Sequence, residues 1–266
     1  INSAMPFLVD YKDEVVDPST LAWAQGAGWM WRIPTASRYG CGYVFDDNFI
    51  SEDEAKREIE VSLGHEITPI RVLKFDTGRL DKLWHKNCLA LGLCAAFAEP
   101  LEATSIHTTI VQIYKFIFGY LKESKEATLN SGSQAIYNKL MGKMYDDMRD
   151  FLVMHYQTQR TDTEFWRWIN TGETRTEFVQ HMLELSKHTI PNHQHIEEYF
   201  GSAGGALWCW ILAGLRHIDG DTALREFNLM GLDPDTIRDR FDLYYKNNMM
   251  DSSRMVTNNH FINVPK

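Results

Sequence analysis

The sequence predicts a mixed α+β protein in which β-structure is confined to residues 1 to about 100 and helices fill the remainder. Three observations carry that expectation. The first hundred or so residues mix short β-branched and aromatic runs with glycines. From about Leu101 onward, apolar residues recur at the three-four spacing of helices. Between the two textures stands Pro100, whose ring blocks a helix arriving from upstream.

Gly42-Tyr43-Val44-Phe45 is a strand candidate, bounded by glycine and by the turn-forming Asp46-Asp47-Asn48. Ser51-Glu52-Asp53-Glu54 is a capping box, with Ser51 as the cap and Glu54 three residues on. The helix it opens carries Ile59 and Leu63 on one face and stops at Gly64. Ile70 to Phe75 reads as another strand, and Cys88-Leu89-Ala90-Leu91 as a buried core strand ending at Gly92. A helix over Ile106 to Leu121 presents Ile106, Ile110, Ile113, Tyr114, Ile117, Phe118 and Leu121 as a core-facing stripe. A second long helix carries Ile136, Leu140, Met144, Met148, Phe151, Leu152 and His155. Shorter helices follow over Glu177 to Lys187, Leu207 to His217 and Thr222 to Leu229. The last begins at Asp233-Pro234, a cap followed by proline at the first helical position, and the polar tail after Asn247 reads as loop.

The chain has 266 residues, enough for one large domain or two modest ones. Its net charge is -9, from 27 Lys and Arg against 36 Asp and Glu. That balance argues against general nucleic-acid binding, which needs a clustered basic surface. No run of about 18 apolar residues suggests a membrane span, and the N-terminus lacks the pattern of a signal peptide. A soluble, cytoplasmic protein is expected. Cys41, Cys88, Cys94 and Cys209 are scattered and read as buried free thiols. The chain opens Ile1-Asn2-Ser3 without an initiator methionine and is expected to be a piece of a longer protein.

Phe97 to Ile106 carries the chemistry. Pro100 and the stripe from Ile106 place a helix start close to Glu102–Ser105. The first turn of a helix has free backbone N–H groups and a partial positive charge, so it can hold an anion without a lysine. Glu99 and Glu102 flank that point, and the residues alone leave open that both are ordinary dipole-favouring carboxylates. His193-Gln194-His195 lacks a third metal ligand nearby and reads as a loop pair. Gly201 to Gly205 lacks the lysine and Ser/Thr of a phosphate loop and reads as a lid or linker. Trp166, Trp168, Trp208 and Trp210 read as core residues, some of which would suit an aromatic-substrate pocket.

In order and spacing, Asn87-Cys88, Gly92-Leu93 and Glu99-Pro100-Leu101-Glu102 resemble the signature of flavin-dependent halogenases of the tryptophan-halogenase family. Upstream, Gly28-Trp29-Met30-Trp31-Arg32-Ile33-Pro34 is similar to that family's Trp-x-Trp-x-Ile-Pro motif. Gly40, Gly42-Tyr43-Val44, Ser51-Glu52 and Gly78-Arg79 fall where the family has them, and Tyr145 to Phe151 with His155-Tyr156 is similar to its long helix. The resemblance is good from about residue 20 to 168 and thin beyond.

It implies part of a flavin-monooxygenase-like FAD domain, residues 1–105, followed by a mostly helical substrate-binding domain, residues 106–266. It implies an enzyme that uses reduced FAD from a separate flavin reductase, oxygen and chloride, bromide or iodide to halogenate a small aromatic substrate, with a homo-oligomer left open. Glu102 matches the catalytic, substrate-contacting glutamate, which suits a step that builds positive charge on a ring and then removes its proton. Thr104 and Ser105 match the halide-binding positions. Leu93 and Ile106 match flavin contacts, and Trp29, Trp31, Ile33 and Pro34 a motif near the flavin. Tyr199 and Phe200 fall in the substrate-binding region.

Three departures qualify the match. Ala103-Thr104-Ser105 stands where the family has Ser-Thr-Gly, so a glycine that allows positive φ is missing. Glu198 to Gly205 lacks the Tyr-Tyr pair and glutamate of tryptophan-specific members, which points to a substrate other than free tryptophan. Neither the glycine-rich FAD fingerprint nor the relay lysine can be placed, since Lys74, Lys82 and Lys86 lie outside its context. The rival readings are a flavin monooxygenase that hydroxylates an aromatic and a non-catalytic flavin-fold binding protein.

Overall fold

The computed structural model describes residues 1–12, 19–196 and 204–254. In chain order the strands and helices of the first part are β1 (Ser3–Asp10), β2 (Leu21–Gln25), β3 (Gly28–Pro34), β4 (Arg38–Phe45), α1 (Glu52–Leu63), β5 (Leu73–Lys74), β6 (Gly78–Arg79), β7 (Trp84–His85), β8 (Cys88–Leu89) and β9 (Ala96–Phe97). The helices α2 (Ser105–Lys115), α3 (Lys125–Thr128), α4 (Ser131–His155), α5 (Glu164–Thr171), α6 (Glu177–Leu185), α7 (Gly204–Gly214), α8 (Gly220–Leu229) and α9 (Pro234–Arg254) follow. The fold is therefore mixed α+β, with strands first and helices after, as the sequence texture predicts. Two compact units divide the described residues: those within 1–75, 160–168 and 219–254 form the first, and those within 76–159 and 169–218 the second.

In the first unit an antiparallel sheet runs in the order β2-β3-β4-β1-β5. Strand period and register put Met5, Phe7, Met30, Cys41, Tyr43 and Phe45 on one face, where they pack with Ala55 and Ile59 of α1. Helix α1 follows its local signals. Ser51 Oγ accepts from Glu54 N, the Glu54 carboxylate accepts from Ser51 N at 3.0 Å, and the helix ends at Gly64 with φ 70°. The opposite face of the sheet carries Trp29, Trp31 and Ile33, with Trp31 paired across to Gly42. A Cβ at Gly42 would lie 2.1 Å from the Trp31 ring, so glycine is what lets the indole lie on β4. Ile70 to Phe75 forms a shorter strand than predicted. Only Leu73 and Lys74 pair with β1, while Ile70 and Phe75 donate single backbone bonds to Pro6 and Asn2.

Helix α4 is the spine of the second unit. Its Tyr137, Met141, Met144, Tyr145, Met148 and Leu152 are buried with Leu83, Trp84 and Ala95. The Trp84 ring meets Phe116, Tyr120 and Tyr137 edge-on, and Asn138 exchanges two 2.8 Å hydrogen bonds with the Trp84 backbone. Arg79 grips Asp146 through two bonds of 3.0 and 2.8 Å and holds that carboxyl below its usual range. Towards its end, Phe151 and Met154 join Val179, Met182, Ile196, Trp208 and Leu212 in a further core.

Four expectations are corrected. The stripe on α2 and the π-helical turn after it (Phe116–Tyr120) is 40–75% exposed from Ile106 to Leu121, and the helix turns Thr108 and Gln112 inward instead. Spacing identifies residues that share a face, not what lies against it. That polar face is partly satisfied: Gln112 Oε1 accepts from the Tyr145 hydroxyl at 3.1 Å and the Thr108 hydroxyl donates to the Thr104 carbonyl, while Gln112 Nε2 is buried without a hydrogen-bond partner. Cys88 and Leu89 form only a two-residue, partly exposed strand paired with Trp84 and His85, too short to bury a face. All four cysteines are free, but only Cys41 is buried, since Cys88 and Cys94 lie on exposed loop and strand ends. Finally, α9 continues past Asn247 to Arg254, because nothing in that polar stretch, which has neither Gly nor Pro, breaks a helix. Among the described residues no helix is long and apolar enough to cross a membrane.

Gly42→Ala should destabilise the protein by about 1–3 kcal/mol in urea denaturation, as overpacking does, and should shift tryptophan emission. Gly40→Ala is the control. Its Cβ would meet its nearest neighbour at 3.8 Å, so it should change stability far less.

Candidate active site

After Pro100 the chain makes one tight turn over Leu101–Ala103 and enters α2 with Thr104 as the cap residue. Glu102 has φ 65° and Ala103 φ 50°. Two successive left-handed L-residues each cost about 1–2 kcal/mol, because Cβ crowds the following carbonyl. Such strain persists only where surroundings over-determine it, and it clusters at functional sites.

The surroundings here come from the end of α4. His155, its last residue, places Nε2 2.9 Å from Glu102 Oε1 and Nδ1 2.8 Å from the Phe151 carbonyl. The next residue, Tyr156, donates its hydroxyl to Glu99 Oε2 at 2.5 Å. About two turns earlier, Met148 Sδ accepts from the Thr104 hydroxyl at 2.9 Å. Within the turn, Ala103 N donates to the Pro100 carbonyl at 2.9 Å.

The two carboxylates of Glu-Pro-Leu-Glu are thereby set apart. Glu99 is 8% exposed and held by a phenol. The Glu102 side chain is 39% exposed and rests on an imidazole that is 13% exposed. The hydrogen bond from His155 holds the Glu102 carboxyl below the usual carboxylate range, against a smaller opposing effect of its partial burial. A charged oxygen is thus available to solvent at the mouth of a helix start.

Among the described residues no acceptor takes the backbone N–H of Thr104 or Ser105, which belong to the first turn of α2. Their carbonyls are occupied, accepting from Thr108 and from Thr109. The structure puts Leu93 beside them. It lies in a 3-10 turn (Gly92–Cys94) that packs on α2, and Leu93 and Ile106 are 68% and 75% exposed. Glu102, Thr104, Ser105, Leu93 and Ile106 therefore share one neighbourhood of the second unit. Trp29, Trp31, Ile33 and Pro34 belong to β3 of the first unit. Trp29 is 7% exposed, Ile33 is 42% exposed, and the Trp29 and Trp31 rings lie 6.1 Å apart. Tyr199 and Phe200 lie outside the described residues. Among the described residues no three His, Cys, Asp or Glu side chains gather to hold a metal ion, and His195 Nδ1 accepts from Asn192 N within its turn.

Sequence reasoning gave no role to His155, Tyr156 or Met148. The available signal was a His-Tyr pair closing a long amphipathic helix. Nothing local announces that such a pair reaches a turn more than fifty residues earlier.

The family model described as Tryptophan halogenase matches residues 1–225. The tryptophan 6-halogenase ThaL of Streptomyces albogriseolus is 36% identical over 231 residues, which cover 80% of this chain and 42% of that protein. The tryptophan 7-halogenase RebH of Lentzea aerocolonigenes is 38% identical over 171 residues, 62% of this chain and 32% of that protein. Among solved structures, Tar14, a tryptophan C-6 flavin-dependent halogenase (chlorinase) from taromycin biosynthesis, superposes with a TM-score of 0.71 at 30% identity, covering 82% of this chain and 44% of that one. The chain spans less than half the length of each of these relatives.

Because the folded-state pKa of Glu102 is lowered, the stability it contributes is fully present above the ordinary glutamate value of about 4.3 and is lost as pH falls through the lowered one. The melting-temperature gap between wild type and Glu102→Gln should accordingly narrow on acidification from roughly pH 6 to below about pH 4; a constant gap would contradict the assignment. Ala103→Gly should raise the melting temperature by relieving up to about 1 kcal/mol of left-handed strain, net of the entropy that glycine adds to the unfolded chain.

Proposed function

The chain belongs to the tryptophan halogenase family, and from that premise we propose that it serves FADH2-dependent halogenation of an electron-rich aromatic ring at Glu102. The observation that carries this reading is the strained turn that presents the Glu102 carboxylate to solvent, 2.9 Å from His155 Nε2, at the start of a helix with open amides.

The residues fit a planar, apolar cofactor. Leu93 and Ile106 offer exposed apolar side chains from two packed elements, directly beside amides suited to an anion. When bound, reduced FAD supplied by a separate reductase provides the oxygen activation that turns halide into an electrophilic oxidant. The backbone N–H groups of Thr104 and Ser105 hold the halide by the charge of the helix start. Leu93 and Ile106 would border the flavin, and Trp29, Trp31, Ile33 and Pro34 of β3 are assigned to flavin binding on the motif they match. Glu102 stabilises the positive charge that builds on the ring under electrophilic attack. It then accepts the proton from the halogenated carbon, as the C–H electron pair returns to the ring. In this reading residues 1–105 contribute to flavin binding and residues 106–266 to the substrate side, a functional partition distinct from the two compact units. Tyr199 and Phe200 are assigned to substrate, which is taken to be an aromatic other than free tryptophan.

The decisive assay offers the full-length protein chloride, bromide or iodide with a flavin reductase and a panel of aromatics that includes tryptophan, read by mass spectrometry. A halogen mass increment that disappears in Glu102→Gln, with flavin still bound, supports the proposal. Glu102→Gln should lose at least about 100-fold in turnover, the scale of a missing general base. Hydroxylated product without halogenation would move the assignment to a monooxygenase. Flavin binding with no product would move it to a non-catalytic binding protein.

A further inference from the structure

Both ring nitrogens of His155 face oxygen atoms, and that constrains where its protons can lie. The Phe151 carbonyl, 2.8 Å from Nδ1, can only accept, so Nδ1 carries a hydrogen. A neutral ring of that tautomer has only a lone pair at Nε2. The 2.9 Å contact with Glu102 Oε1 is then a hydrogen bond only if one further proton lies between Nε2 and Oε1. Among the described residues this bond is the one hydrogen bond that reaches the Glu102 side chain, so Oε2 is the oxygen left to meet a ligand.

We propose that His155 is a positioning residue for Glu102: it clamps Oε1 of the left-handed glutamate through a shared proton and so turns Oε2 alone towards the substrate. The ring is itself well held. Its side chain is 13% exposed and stands edge-on to Phe151, with centroids 4.7 Å apart; Phe151 in turn packs on Trp208. It also sits in the last turn of α4, where the helix dipole favours a positive charge. Glu102 is the carboxylate facing it from the turn, and Glu99 nearby is engaged by Tyr156. In the ring-deprotonation step the carbon–hydrogen bond breaks, its electron pair returns to the aromatic system, and the proton goes to Oε2, while the proton between Nε2 and Oε1 stays in place. His155 touches neither substrate nor halide. What it does to catalysis rests on the halogenase reading, but the shared proton does not.

The experiment therefore has two arms. In the first, imidazole nitrogens are observed by NMR in the full-length protein and in Glu102→Gln. A glutamine amide can donate to Nε2, so the substitution keeps the contact but removes the shared proton. The expected result is a His155 ring with hydrogen on both nitrogens in wild type. In Glu102→Gln, Nδ1–H should persist and Nε2 should shift to the position of a bare acceptor. Identical His155 signals in the two proteins would overturn the shared proton. In the second arm, His155→Leu should lower kcat roughly ten- to a hundredfold, the scale of a misplaced catalytic group. KM for the aromatic should stay within about twofold, since uniform binding is untouched. His155→Gln, which restores a donor, should recover part of kcat. Unchanged kcat in His155→Leu, or losses shared equally by kcat, substrate KM and flavin affinity, would reduce His155 to a packing residue. A wild type that halogenates nothing sinks the functional reading and, with it, the positioning role; the NMR arm still decides the proton.

Discussion

The candidate site depends on one constraint, a left-handed turn at Glu102 and Ala103 that the end of α4 holds in place. The turn is unfavourable by itself, because two side chains sit where L-residues crowd their own backbone. What offsets it is a set of contacts from a single helix: Tyr156 on Glu99, His155 on Glu102 and Met148 on Thr104. That helix is in turn fixed along its length, by Asn138 on the Trp84 backbone, by Arg79 on Asp146 and by the Tyr137–Trp84 aromatic contact. Precision at the turn is therefore inherited from the packing of α4. The geometry of the α2 start follows, since Thr104 is both the cap residue and a partner of Met148.

The same arrangement gives two neighbouring glutamates different characters. Glu99 and Glu102 are three residues apart with one proline between them, and the sequence treats them alike. Burial and a phenol donor make Glu99 part of the scaffold. Exposure and an imidazole partner leave Glu102 charged and reachable. Environment rather than residue type assigns the roles, as it does wherever paired carboxylates divide acid, base and structural work. The proline contributes by setting the entry angle of the turn, with Ala103 N closing back on its carbonyl.

Legibility in the sequence tracked how local the cause was. Helix α1 could be read nearly residue by residue, because its cap box and its terminal glycine are local signals that act through neighbours three or four positions away. The helix start near Ser105 was legible for the same reason. The inward face of α2 was not. Its apolar stripe is real, but the second unit's core takes Thr108 and Gln112, and the partner that Gln112 meets there, the Tyr145 hydroxyl donating to its Oε1, lies on another helix. The two-residue strands around Trp84 and Cys88 also escaped, since pairing that short leaves no periodicity to detect. His155 was visible as a helical residue and invisible as a partner. Its meaning lies across 53 positions of sequence.

The motif on β3 and the departure at Ser105 become clearer in the same physical terms. Trp29, Trp31 and Ile33 recur at the strand period, so they occupy one face, while Met30 goes to the core on the other. Trp31 and Gly42 form a single steric unit, since the indole lies where a Cβ on residue 42 would stand. At the turn, the missing glycine after Thr104 looks costly only if position 105 is left-handed. It is not: positive φ falls on Glu102 and Ala103, while Ser105 already lies in the helix. Serine there keeps the open backbone donor where the helix start puts it. On the proposed reading, serine therefore leaves the electrostatics of the helix start intact and adds only a hydroxyl beside it.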